Sequence, residues 1–383
     1  MRVALILALF SVVHTPIDAC TIFVLTDTNR ALFCNNEDWV NPKTRIWFVP
    51  GSNGSHGCAI VGFDDGIAQG GLNTEGLAFD VVAGYKEKWE PDPSVPNVWG
   101  NSGRRVLETC GTVKEAVAFY RSHRDPGFSR CKMLVADRTG VSVILGAKDG
   151  KLQVELSHQC RGFGYAGQIL GKMLAKVPEP TVSNGFNILR ACLQKGQYAT
   201  KYSNVFDLKS GDIFLVSFPG GDDEAKLNLA VELKNGGHYY DMPDIRKQLA
   251  EAPRPLLANM KRHSLNGIKP IPDKEPEVAA HVRIMLHDLL TGTPKAADYA
   301  PELWMLLSLY QGQPQAMFKS FGELISLTLV DRSDEDGRCS YYYRIEFQNG
   351  TLLQRFDFDR RNKLTGSTTE DGETRPDVSA GAK

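Results

Sequence analysis

The first thirty-nine residues constrain this chain more than any other stretch. Arg2 precedes an apolar run from Val3 to Val13, and the small residue Ala19 stands immediately before Cys20. A positive start, an apolar stretch and a closing small residue form the pattern of a cleaved export signal over 1–19. Cleavage after Ala19 leaves a mature chain whose first residue carries both a thiol and a free α-amine. Two other readings compete. One is a buried first strand of a cytosolic protein. The other is a lipoprotein signal, which also ends before a cysteine; Asp18 is unusual in such a signal, and lipidation would acylate the amine.

A thiol titrates near about 8.5 and an α-amine near about 8, so on one residue they form a nucleophile and its base. The neutral amine takes the thiol proton, the thiolate attacks a carbonyl, and the ammonium protonates the leaving amine. No histidine is needed, and none of the eight sits in a recognisable motif.

The other cysteines do not suggest a metal or redox site. Cys34, Cys58, Cys110, Cys131, Cys160, Cys192 and Cys339 include no C-x-x-C pair and no repeated spacing. With Cys20 set aside these seven are odd in number, so at least one is free or paired between chains. Cys110, Cys131 and Cys192 lie among apolar neighbours, as small buried hydrophobes do. The formal net charge of -1 gives no global field to recruit nucleic acid. Beyond the leader no apolar stretch approaches the roughly 18–20 residues that span a bilayer.

The chain then reads as α+β. Short β-branched and aromatic runs at Thr21–Leu25, Ala31–Cys34, Trp47–Pro50, Ala59–Phe63 and Ala78–Ala83 predict strands. The spacing of Val106, Leu107, Cys110, Val113, Ala116, Val117 and Tyr120 predicts one helix over 101–123. Hairpins are expected across 137–140 and 209–211, with a strand over 151–156 and a helix over 184–193. Prolines 253, 255, 270, 272 and 276 mark a linker over 251–276. Helices over 277–290 and 302–310 and strands over 322–331, 340–348 and 351–359 follow. Asn349-Gly350 signals a type I′ turn between the last two strands. From Gly366 the sequence is polar, and a disordered tail is expected over 366–383.

Three motifs carry a resemblance. Cys20-Thr21-Ile22-Phe23 opens the mature chain, Asn36-Glu37-Asp38-Trp39 follows, and Gly71-Leu72-Asn73-Thr74-Glu75-Gly76-Leu77 comes later. Together they look like the N-terminal-nucleophile (Ntn) cysteine hydrolases of the choloylglycine hydrolase, penicillin V acylase and acyl-coenzyme A:isopenicillin N acyltransferase group. The likeness spans roughly 20–245. It implies a four-layer αββα sandwich over 20–250, with Cys20 as nucleophile, Asp38 bonded to its amine, and Asn73 donating to the oxyanion. No cofactor or metal is implied. The sequence departs from the family at three places. Cys34-Asn35 stands where an arginine is usual, Gly164-Tyr165-Ala166-Gly167-Gln168 lacks a second asparagine, and only Lys201 lies near the place of a late arginine. A smaller α+β module over 277–365 resembles cystatin-like or nuclear-transport-factor-like appendages.

The expected function is a secreted or periplasmic amidohydrolase acting on a small acyl-amide substrate. A lipid-anchored binding protein on the same fold and an acyltransferase to an amine acceptor are the rivals. Oligomeric state stays open.

Overall fold

The computed structural model describes residues 20–52, 54–218, 224–309, 312–335 and 337–374. The expected signal over 1–19 lies outside the described residues, as does the end of the expected tail, 375–383. No helix among the described residues is long and apolar enough to cross a membrane.

The large lobe begins with strands β1 (Thr21–Thr26), β2 (Ala31–Asp38), β3 (Thr44–Val49), β4 (Cys58–Phe63), β5 (Ala68–Asn73) and β6 (Ala78–Ala83). Helices α1 (Ser102–Thr109) and α2 (Val113–Ser122) follow, then β7 (Cys131–Ala136), β8 (Ser142–Lys148), β9 (Lys151–Ser157) and β10 (Arg161–Gly164). Next come α3 (Gly167–Leu174), α4 (Val182–Ala191), β11 (Thr200–Asp207), β12 (Asp212–Ser217) and β13 (Ala225–Asn228). The short helix α5 (Leu229–Glu232), β14 (His238–Asp241), α6 (Ile245–Gln248) and the two-residue β15 (Arg254–Pro255) complete it.

These strands form two antiparallel sheets. One runs β10-β1-β2-β11-β12-β13 and the other β15-β14-β3-β4-β5-β6-β7-β8-β9. Side chains alternate across a strand, and here both faces are apolar. Along β1, Ile22 and Val24 pack between the sheets, whereas Phe23 and Leu25 pack with Leu170 of α3 and Leu189 of α4. Along β4, Ala59 and Val61 face the first sheet, while Cys58 and Ile60 meet Leu107 of α1 and Val117 of α2. Helix, sheet, sheet, helix is therefore the layer order, the αββα sandwich that the motifs implied. Each fully buried Val, Leu, Ile or Phe contributes about 1.5–3 kcal/mol, so three such interfaces hold the lobe together.

The single helix expected over 101–123 is two. Cys110 ends α1, and Thr112 restarts the chain as the N-cap of α2, with Glu115 closing a reciprocal capping box. The apolar period runs through both helices because both lie on the same sheet.

The small lobe comprises α7 (Pro276–Thr291), α8 (Pro301–Leu309), α9 (Gly312–Ser320) and a meander of β16 (Leu324–Glu335), β17 (Arg338–Phe347), β18 (Gly350–Phe358) and β19 (Leu364–Thr374). Val278, Val282, Met285 and Leu286 of α7 bury against Tyr343, Ile345 and Leu352 of the sheet. Phe347 pairs with Gly350, so the β17–β18 turn is Gln348-Asn349, one residue earlier than expected. The disordered tail expected from Gly366 is corrected as far as Thr374: this polar run is strand β19, paired along β18. Its side chains are polar because they serve polar contacts. Ser367 and Thr369 bond Gln354 at 2.7 and 2.6 Å, and Glu370 pairs with Arg355 at 3.3 Å.

Arg355 also joins the lobes. Its side chain is 2% exposed; it pairs with Asp357 at 3.2 Å and donates to the Asp65 and Asn259 carbonyls at 2.7 and 3.3 Å. Arg338 reaches Asp64 at 3.1 Å across the same boundary.

Candidate active site

Cys20 sits at the head of β1, the strand between β10 and β2. Gly164 makes room for it. With φ +135°, Gly164 lies so close that a Cβ there would meet the Cys20 carbonyl oxygen at 2.3 Å. The next residue, Tyr165, donates its N–H to that carbonyl at 2.8 Å.

Strand register then decides the neighbours. Thr21 pairs with Asn36, so Cys20 lies beside Glu37 and Asp38 at the end of β2. On the next strand, Tyr202 pairs with Glu37 and Asn204 with Asn35. Alternation puts Ala31, Phe33, Asn35 and Glu37 on the face between the sheets, with Tyr202 and Phe206 of β11. Asp80 of β6 arrives from the facing sheet, flanked by Ala78 and Val82, which point the same way. Asn36 takes the opposite face, where its amide donates to the Leu189 carbonyl of α4 at 2.9 Å.

The structure thus brings Cys20 and Asp38 together. The Cys20 nitrogen, a peptide N–H in the full chain, donates to Asp38 Oδ2 at 3.1 Å. Thr200 donates to the other carboxylate oxygen at 2.5 Å and fixes its orientation. The Cys20 sulfur lies 3.5 Å from Glu37 Oε1. Glu37 also accepts from the Asn35 amide at 3.3 Å.

Asn73 is not brought to the sulfur. It follows Leu72, which faces between the sheets, so its own side chain faces the helix layer. There its amide donates to the Leu107 and Cys110 carbonyls at 2.8 and 2.7 Å. Its side-chain oxygen accepts from the Leu77 and Glu75 N–H groups at 2.9 and 3.1 Å. Both amide hydrogens are engaged, which leaves no donor for an oxyanion. The Gly-rich motif is instead a tight β5–β6 turn. Gly76 takes φ +76° there, and a Cβ would meet the Leu208 carbonyl oxygen at 2.2 Å.

The electrostatics of the cluster are unusual. Burial raises the Cys20 thiol well above its ordinary pKa, and the Glu37, Asp38 and Asp80 charges push it the same way. Burial raises Glu37 to about 8, with the Asp38 charge adding to the shift. Asp38 rises to about 7 by burial, opposed by Thr200, the Cys20 N–H and the charge of Lys201. Asp80 is raised by burial and by Glu37. Lys201, adjacent in sequence to the expected place of the late arginine, therefore acts on Asp38. Tyr202 is held protonated by burial and by Glu37 and Asp80.

Four members of this cluster, Glu37, Asp80, Tyr202 and Asn204, have no role in the motif reading. A signal for Glu37 was present: polar residues at 35 and 37 continue the inward-facing series of 31 and 33. Asp80 and Tyr202 come from strands distant in sequence, and only tertiary pairing assembles them.

No family model and no curated protein matches this chain. Among solved structures it is similar to penicillin V acylase from Agrobacterium tumefaciens, at 16% identity and TM-score 0.47, over 58% of this chain and 91% of that one. It is also similar to a variant of conjugated bile acid hydrolase from Clostridium perfringens, at 13% identity and TM-score 0.47, over 62% and 99% of the two chains. The Caenorhabditis elegans ortholog of N-acylethanolamine-hydrolyzing acid amidase aligns at 11% identity and TM-score 0.34, over 49% and 92%. Likeness at this level carries no argument about substrate or chemistry; the layer order and the contacts around Cys20 are this chain's own.

Proposed function

We propose that the mature chain is an exported amidohydrolase that cleaves a linear amide through Cys20 and an acyl-thioester. The observation that carries this reading is the Cys20 nitrogen held on Asp38 at 3.1 Å, on the same residue as a buried sulfur. Removal of the leader turns that nitrogen into an amine. In the full chain Cys20 holds φ at +66°, a left-handed conformation uncommon for a residue with a Cβ. Loss of the preceding residue abolishes that torsion.

The amine takes the proton from sulfur, and the thiolate adds to the amide carbon. The C–N bond breaks as the ammonium returns its proton to the leaving amine. Water, deprotonated by the same amine, then splits the thioester and frees the acid. Asp38, oriented by Thr200, stabilises the ammonium in both halves. Glu37, protonated at neutral pH, adds no charge against the thiolate. The Tyr202 hydroxyl, buried beside Glu37 and interacting with it and with Cys20, is the oxyanion donor we assign in place of Asn73. Removing one such donor typically costs about 3 kcal/mol.

Substrates of this class include N-acyl amino acids, N-acyl-homoserine lactones, bile-salt-like conjugates and penicillin V. The test is a panel of these amides with wild type and Cys20→Ala. Loss of all turnover in the variant supports the reading; equal turnover refutes it. Added acceptor amines that capture the acyl group would redirect it to acyl transfer.

A further inference from the structure

A cavity lies on the other side of the nine-stranded sheet from Cys20, between the two lobes. It measures about 760 Å³, within the range of small-molecule sites. Its small-lobe wall is largely apolar, with Met285 and Leu289 of α7, Leu303 of α8, Met317 of α9 and Phe356 of β18, and carries neutral polar groups at Gln354, Ser367 and Thr369. Its large-lobe wall holds Trp89, Asn97 and Arg124.

Charge on the lining is one-sided. Arg124 is the only charged residue among the described residues that form it, and no carboxylate lines the space. Asn97 Oδ1 accepts from Arg124 Nε at 2.5 Å and pins the guanidinium, while no described residue bonds its two terminal nitrogens. The charge of Arg124 acts on Asp92, which is fully exposed. Trp89 contributes its ring to the same wall. A fixed cation on one wall, facing a largely apolar wall, matches an acceptor-only anionic head on a flexible hydrocarbon chain.

We propose that this cavity binds a single-chain carboxylate amphiphile of the fatty-acid class, with its carboxylate on Arg124 and its chain along α7 and Phe356. The site stands apart from Cys20 and does not depend on turnover there. Because its walls come from both lobes, occupancy also ties the lobes together and raises the unfolding temperature as ligand concentration rises.

The test uses the full mature chain and the fluorescent acid 11-(dansylamino)undecanoic acid, with laurate and 1-dodecanol as competitors. We expect saturable binding of one probe per chain, displaced by laurate in preference to dodecanol. Leu289→Trp and Leu303→Trp fill the space and should each weaken probe binding at least tenfold. Arg124→Gln should weaken laurate about tenfold or more, the usual effect of losing a hydrogen bond to a charged group, and leave dodecanol within twofold. Cys20→Ala should bind as wild type does. The proposal is overturned by no saturable binding, by unchanged affinity in folded tryptophan variants, or by loss of binding in Cys20→Ala. Equal weakening of laurate and dodecanol in Arg124→Gln overturns the placement of the carboxylate. If both tryptophan variants fail to fold, the laurate–dodecanol comparison in Arg124→Gln decides.

Discussion

Replacing Glu37 with Gln should make the protein more stable at alkaline pH. Glu37 is buried beside Asp38 and Asp80, and its pKa rises from 4.5 to about 8. A carboxyl raised in the folded state binds its proton more tightly there than in the unfolded chain. Its contribution is therefore fully present below about pH 4.5 and is lost as pH rises through about 8. At roughly 1.4 kcal/mol per tenfold change in proton affinity, the loss is of the order of 5 kcal/mol above pH 8. Gln keeps the shape and the hydrogen bond to Asn35 but has no proton to lose. Urea midpoints at pH 5 and pH 8.5 measure the difference, and subtracting the variant's change from the wild type's cancels groups that titrate in both. The wild type should lose markedly more stability than Glu37→Gln across this interval. If the two proteins lose the same amount, or the wild type gains stability, Glu37 is not held protonated and the account of the cluster fails. The same protonation bears on catalysis. Activity should fall on the alkaline side as Glu37 ionises against the thiolate, and Glu37→Gln should remove that limb.

Three further outcomes follow from the contacts. Asp38→Asn keeps the acceptor on the Cys20 nitrogen but removes its charge; kcat/KM should fall about tenfold to a hundredfold, on the scale of about 1.5–3 kcal/mol for a charged hydrogen bond, with little change in unfolding temperature. Asn73→Ala should do the reverse. It strips partners from the Leu107 and Cys110 carbonyls and from the Leu77 N–H, costing about 2–4 kcal/mol of stability, while kcat per folded molecule stays within about threefold of wild type. Arg355→Met leaves Asp357 and Glu370 buried without their counter-charge, a change that typically costs about 3–5 kcal/mol; calorimetry should show the small lobe unfolding earlier, with turnover at Cys20 preserved.

Much of the large lobe was legible because its strands are short β-branched runs separated by turn residues, and the hairpins at 137–140 and 209–211 lie where their glycines put them. Helices α3 and α9 were not: each begins with glycine, and α3 has no side-chain N-cap before its apolar period. Strand β19 was hidden by its polarity, which reflects contacts with Arg355 and Gln354 contributed by other parts of the small lobe. The pairing of Cys20 with Asp38 was readable from motif order. Asn73 misled because an Asn in a Gly-rich turn serves the backbone equally well, and only the face it takes on β5 decides between the two roles. Asp80 and Tyr202 depend on which strands become neighbours, and no local pattern encodes that.

The proposed chemistry depends on one atom pair, the freed nitrogen and the sulfur of Cys20. Mass spectrometry of the exported protein, quenched in acid during turnover of an N-acyl amide, tests it most directly. The predicted result is an N-terminal peptide that begins at Cys20, with no lipid, carrying the acyl mass on sulfur. A chain that begins elsewhere, a fatty acyl group on the Cys20 amine, or turnover with no acyl-peptide would contradict it.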